Sequence, residues 1–165
     1  MKNVLDTRYV SMKGYENPIS HFAPIPVVWH DGKFHTSEHA CRAAPFINVA
    51  PKVFEKIRNA QTPIESIEIA DMYKHIIPPS WHQRKRRVVM EISLAKLEQH
   101  KEVRNALLAS GDLPIVLDTS NRYWGAGRNG RGLNVAGKIM EFLRDELIRN
   151  RYPLSQEERF VEESN

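Results

Sequence analysis

The chain has 165 residues, a length that fits one compact domain burying about two-thirds of its unfolded surface. Its 41% hydrophobic and 27% charged residues exclude a disordered or collagen-like chain, and its single cysteine, Cys41, excludes internal disulfides and Cys-rich zinc sites. A net charge of +4 favours anionic partners mildly, and no apolar run of about 18 residues or signal-like start is present, so the sequence reads as soluble and cytoplasmic (nuclear in a eukaryote), with no membrane partner.

In chain order, the first 35 residues read as short strands and turns. Pro26–His30 alternates, and Asp31-Gly32 is a hairpin-turn signal before Lys33-Phe34-His35. Thr36 or Ser37 can cap a helix with Glu38 in its first turn, and Pro45 ends it at or before Ala44. A short helix is predicted over 52–60. Thr62-Pro63-Ile64-Glu65 combines a capping box with proline at the first helical position, starting a helix that runs to about Lys74. After the Pro78-Pro79 break, Ser80 is the expected cap of a helix from Trp81 to about Gln99, with Val88, Val89, Ile92, Ala95 and Leu97 on its apolar side. A further helix carries Val103, Leu107 and Leu108 and stops near Gly111.

Pro114–Leu117 is short, apolar and β-branched, the pattern of a buried strand. A loop then holds four glycines, and a fifth, Gly137, stands at its helical exit. Asn134 is the expected cap of the last helix, where Val135, Ile139, Leu143 and Leu147 recur every four residues. No internal repeat or linker interrupts the pattern. The fold class is α+β, a mostly helical single domain over residues 1–149 with a small sheet, followed by a polar, acidic tail over 150–165 whose last ten residues read as mobile.

Two basic stretches localise the charge. Arg84-Lys85-Arg86-Arg87 is either a solvated helix face or a surface for nucleic acid or phosphate. Arg122, Arg128 and Arg131 stud the glycine loop, where Gly125-Ala126-Gly127-Arg128-Asn129-Gly130 matches G-x-G-x-x-G in letter only. A dinucleotide site needs that motif to open a helix directly after a βαβ strand. The loop is therefore either a tight structural turn or an anion cradle whose backbone amides, arginines and following helix N-terminus hold a phosphate. Glu38 and His39, being adjacent on a helix, do not share a face and make no acid–base pair. The seven histidines show no metal-ligand spacing, and Cys41 reads as a buried, inert thiol. Tyr123-Trp124 adjoins the loop, where a ring can stack on a base.

Taken together, Asn17–Phe22, the His35–Ala40 segment with its S-E-H-A core, Trp81 with Val88-Val89-Met90, Tyr123–Gly127, Gly130–Met140 and Arg144 follow in an order that resembles the NADAR family. The likeness spans residues 9–147. It implies cleavage of the C1′–N bond between a ribose phosphate or ADP-ribose and a base or amine, with no cofactor and no metal. It also implies Glu38 as the catalytic carboxylate and a substrate-binding set of His21, Phe22, Arg42, Trp81, Asn121, Tyr123, Trp124, Gly125, Gly127, Gly132 and Asn134. Arg122, Arg128 and Arg131 are expected to bind phosphate. The expected partner is an ADP-ribose-containing or ribose-phosphate small molecule, or a nucleic acid carrying the adduct. ADP-ribosylated guanine is the favoured substrate, a phosphorylated riboflavin intermediate the second, and an altered module that only binds ADP-ribose the third. The chain departs from the family pattern at Pro45 (usually Lys), Pro78 (Arg), Ser80 (Asp), Asn121 (Asp) and His21 (Asn). Arg42, Lys52, Asp118 and His82 are the neighbours with chemistry to compensate.

Overall fold

The structure is a computed structural model that describes residues 8–149, so the acidic tail expected over 150–165 lies outside the described residues. Four short strands, β1 (Val10–Ser11), β2 (Val27–Trp29), β3 (Gly32–Phe34) and β4 (Ile115–Val116), form two separate pairs. Six helices surround them: α1 (Ser37–Ala43), α2 (Pro51–Arg58), α3 (Pro63–Met72), α4 (Trp81–Gln99), α5 (Lys101–Ala109) and α6 (Val135–Ile148). The α+β reading holds.

Local chemistry sets most of these elements. Thr36 caps α1, its hydroxyl accepting from the His39 amide at 3.3 Å. Thr62 accepts from the Glu65 amide at 3.1 Å, and the Glu65 carboxylate reaches back to the Gln61 amide at 2.6 Å, one residue before the cap. The β2–β3 hairpin turns one residue earlier than its Asp-Gly signal: Trp29 pairs with Gly32, leaving His30 and Asp31 as the loop at φ 46° and 57°. Positive φ at both positions makes a turn whose twist matches the strands, and Gly32 enters the ladder instead. Gly111, at φ 56°, ends α5 as expected.

Two expected caps are corrected. Ser80 is helical (φ −60°, ψ −17°) and makes no capping bond; the Pro78 and Pro79 carbonyls take the Trp81 and His82 amides instead. Asn134 sits in the left-handed region at φ 49° and does not cap α6. Its side chain accepts from the Leu117 amide at 3.0 Å and donates to the Ile115 carbonyl at 2.8 Å. Glu141 takes the Ile115 amide at 2.8 Å. β4 pairs in parallel with β1 on one edge, so these side chains close its other edge.

The core has two halves. One gathers Val27, Phe34, Phe46, Ile57 and Ile69; the other gathers Met12, Leu97, Leu107, Ile115, Ile139 and Leu143. Helix α4 serves both, with Ile92 in the first and Val89 and Leu97 in the second, and Cys41 of α1 touches both. Each fully buried aliphatic or aromatic side chain contributes about 1.5–3 kcal/mol, so this shared spine fixes α1 against α4. No helix among the described residues is long and apolar enough to cross a membrane.

Candidate active site

A cavity of about 670 Å³ opens where the two core halves meet. That volume lies well inside the 300–1,000 Å³ typical of small-molecule sites. Its walls come from the end of β1, the 20–22 turn, α1, α3, the start of α4 and the 117–124 segment.

The 20–22 turn is built onto the start of α1. The His21 carbonyl accepts the Glu38 amide at 3.0 Å, taking one of the donors that a helix N-terminus leaves without an internal partner. This places Glu38 on the cavity wall, with its side chain only 11% exposed. One turn later, Arg42 Nε donates to Glu38 Oε1 at 2.7 Å. Burial works against the Arg42 charge, but the Glu38 carboxylate, and Asp71 beyond it, outweigh this and raise the guanidinium further above its ordinary value.

Behind Glu38 runs a neutral chain of hydrogen bonds. His21 Nδ1 lies 3.8 Å from Cys41 Sγ, and Nε2 lies 3.4 Å from Ser93 Oγ, which itself donates to the Val89 carbonyl at 2.8 Å. With the serine proton committed, Nε2–H donates to Ser93 and Nδ1 accepts from the thiol. Burial lowers the His21 pKa to about 4 and raises the Cys41 thiol far above its ordinary range, so both groups are neutral at physiological pH. The thiol expected from sequence to be buried is only partly so, since it lines the cavity. His39 is a structural pin: its ring meets Thr36 Oγ1 at 2.8 Å and the Ala60 carbonyl at 3.1 Å.

The opposite walls are aromatic. Phe22, Trp81 and Trp124 line the cavity, and Tyr15 packs on Phe22 with ring centroids 5.9 Å apart. Trp124 is braced from outside. Its ring stands edge-on to Tyr123 at 4.8 Å, and Lys85 Nζ lies 3.7 Å over the Tyr123 ring.

Of the residues expected to act, Glu38, His21, Phe22, Arg42, Trp81, Asn121 and Trp124 are therefore brought together. Asn121 does so as part of a turn, its Oδ1 accepting from the Tyr123 and Trp124 amides at 2.9 Å each. Tyr123, Gly125, Gly127, Gly132 and Asn134 do not line the cavity, nor do Arg122, Arg128 and Arg131, which are exposed. Several of the amides that an anion cradle in this loop would use are spent within the protein. Ala126 donates to Leu117, Gly132 to Ala126, Leu133 to Arg122 and Asn134 to Gly125. The first α6 amides, Val135 and Ala136, go to Tyr123 and Trp124 carbonyls. The glycines are there for closeness; a Cβ at Gly132 would overlap Gly125 O, and one at Gly125 would overlap Leu117 O. Among the positions weighed as compensators, Arg42 reaches the site, while Lys52, Asp118 and His82 are not on its walls.

Sequence reasoning missed Lys13, Asp71 and Lys74, the remaining charged residues of the cavity. Ile67, Ala70, Asp71 and Lys74 follow a helical spacing, which marks one face but not what that face looks upon. No group of three His, Cys, Asp or Glu among the described residues is placed to hold a metal ion. The arrangement is thus a fixed, half-neutralised carboxylate in an aromatic cavity. Such a group stabilises positive charge developing on a bound sugar ring.

The comparisons with known proteins agree with this chemistry. The NADAR domain profile matches residues 8–148. The N-glycosidase YbiA of Escherichia coli (strain K12) is 33% identical over 129 residues, covering 78% of this chain and 79% of its own. The N-glycosidase Npun_R5314 of Nostoc punctiforme is 30% identical over 133 residues, covering 79% and 85%. The riboflavin biosynthesis protein VVA0006 of Vibrio vulnificus is 25% identical over 78% of this chain but 35% of its own length. The NMR structure of E. coli YbiA superposes with a TM-score of 0.75 at 26% identity, covering 94% of this chain and 93% of that one. Motif order, fold and cavity chemistry converge: the chain belongs to the NADAR family of N-glycosyl hydrolases.

Proposed function

We propose that this cavity hydrolyses the C1′–N bond of a ribose-phosphate or ADP-ribose adduct, with ADP-ribosylated guanine in nucleic acid as the favoured substrate. The observation that carries the proposal is the Glu38 carboxylate, held at 2.7 Å by Arg42 in the wall of a cavity that Phe22, Trp81 and Trp124 also line. As the bond breaks, its electron pair leaves with the base nitrogen, which takes up a proton, and positive charge spreads over the ribose ring. Glu38 stabilises that charge and accepts a proton from the water whose oxygen adds to C1′, and the return of that proton to solvent balances the one that the departing nitrogen takes up. One water is consumed. Trp81 and Trp124 offer rings for the base, and Lys13 and Lys74 offer the cavity's cations for phosphate.

Two features support a nucleic-acid substrate over a free nucleotide. Arg84 lies over the Trp81 ring at 5.9 Å and Lys85 over Tyr123, which places the basic run beside the two cavity tryptophans. Arg122, Arg128 and Arg131 are exposed on the adjoining loop, adding cations that a polyanion can use. The name of the Vibrio relative supports the second reading, a phosphorylated riboflavin intermediate.

Release of ADP-ribose from ADP-ribosylated guanine in DNA, and separately of the base from a phosphoribosylated pyrimidine, tests both. Release from the DNA that falls steeply with salt is the expected result. Release from the pyrimidine alone would select the second reading. Saturable ADP-ribose binding without turnover of either would replace hydrolysis by a binding role.

A further inference from the structure

We propose that Lys96 is a positioning residue for Glu38, holding from α4 the turn that ties off the start of α1. Lys96 stands on the buried side of α4, 3% exposed, and its Nζ donates to the Ser20 carbonyl at 2.6 Å. The next carbonyl along, that of His21, receives the Glu38 amide at 3.0 Å and faces the Ser37 hydroxyl at 3.5 Å. Ser20 also turns the chain inward: its carbonyl accepts the Ala23 amide and its hydroxyl accepts the Phe22 amide at 3.1 Å. One turn before Lys96, Ser93 meets the His21 ring. α4 therefore grips two consecutive residues of the turn, and the turn in turn sets the first amide-to-carbonyl link of the helix that carries Glu38. The Lys96 bond is the charge-assisted one of the set, and such bonds are about twice as strong as neutral ones.

No carboxylate pairs with the Lys96 ammonium among the described residues, and burial lowers its pKa to about 8. Glu102 of α5 opposes that shift, while Cys41 of α1 and His21 in the turn are neutral. β2 presents Val27, Val28 and Trp29, and on α6 Glu141 and Arg144 are bound to Ile115 and to Ser110 and Leu113. Deprotonation near pH 8 leaves a neutral amine that still reaches Ser20 but holds it less strongly. The same protonation change has the opposite effect on stability. Between pH 8 and the ordinary lysine value, the unfolded chain binds the proton and the fold does not, so stability rises.

The inference rests on the role proposed for Glu38, so its test has one readout that needs no substrate. Hydrogen exchange at the Glu38 amide in the full chain is compared between wild type and Lys96→Met, with the Leu143 amide of α6 as the reference for global unfolding. The expected result is exchange at least about tenfold faster at Glu38 than any change at Leu143. Equal changes at the two amides overturn the proposal. Turnover supplies the second readout: kcat drops about tenfold in Lys96→Met with KM within about twofold, Lys96→Arg recovers most of the loss, and wild-type kcat falls above pH 8 while Tm rises. Should Lys96→Met fail to fold, a wild-type kcat that is flat from pH 7 to 9.5 overturns the proposal alone. Glu38→Gln separates the two claims. If that variant keeps full turnover, the catalytic reading of Glu38 fails; if it loses turnover while the Lys96 arms show nothing, only the positioning role fails.

Discussion

Replacing Glu38 with Gln removes one negative charge and almost no volume. The new amide oxygen can still accept from Arg42 Nε, so the side chain keeps its place against the helix. The Arg42 side chain is 40% exposed, and water can solvate the guanidinium once its partner is neutral. Partly exposed pairs of this kind contribute only about 0–1 kcal/mol, which limits the loss of Tm to a few degrees. The transition state is affected far more. A preorganised group facing developing charge contributes about 3–4 kcal/mol, so kcat for C1′–N cleavage should fall by about 10²–10³-fold while KM changes little. Chromatography of the released ADP-ribose, run beside scanning calorimetry, measures both quantities on one sample. A kcat within about threefold of wild type, at unchanged Tm, would sink the mechanism and move the reacting centre elsewhere in the cavity.

The fold supports three further predictions. Asn134→Ala leaves the Leu117 amide and Ile115 carbonyl without their partners, and two such groups at about 1–3 kcal/mol each should lower ΔG of unfolding by about 2–6 kcal/mol in a urea titration. Gly125→Ala drives a methyl into the Leu117 carbonyl and the Thr119 methyl; a loss of more than about 2 kcal/mol is expected in the same titration, and an unchanged midpoint would contradict the packing. His21 titrates near 4 in the fold and near 6.5 when unfolded, so between those values the unfolded chain binds more protons. Stability should therefore fall as pH drops from about 6.5 to 4, and His21→Asn, followed by thermal melts, should flatten that slope.

Much of the helical frame was legible because its signals are local. Thr36 and Thr62 behave as caps since each hydroxyl lies within reach of an amide three residues on, whatever the rest of the chain does. Val135, Ile139, Leu143 and Leu147 are buried because their spacing puts them on one face. Asn134 shows the limit of such reasoning. It stands where a cap belongs, yet the open edge of β4, formed some twenty residues earlier, makes better use of its amide. The glycine loop is a second case. Small residues suit a phosphate and suit close backbone packing equally well, and only the structure shows that Ala126, Gly132, Leu133 and Asn134 donate their amides within the protein.

Local patterning alone placed the six helices, the hairpin and the strand at 115–116, while motif order singled out Glu38, Trp81 and Trp124. Those inferences depend on interactions within about four residues of each position, or on letters that can be read directly. The cavity depends on neither. Lys13, Glu38, Asp71 and Trp124 meet only because the two core halves dock on α1 and α4, and the arginines of the glycine loop fall outside for the same reason. The mild positive charge of the chain is thus divided by tertiary packing: Arg42 pairs with the carboxylate, Lys96 is buried on α4, and Arg84 and Lys85 lie over the Trp81 and Tyr123 rings.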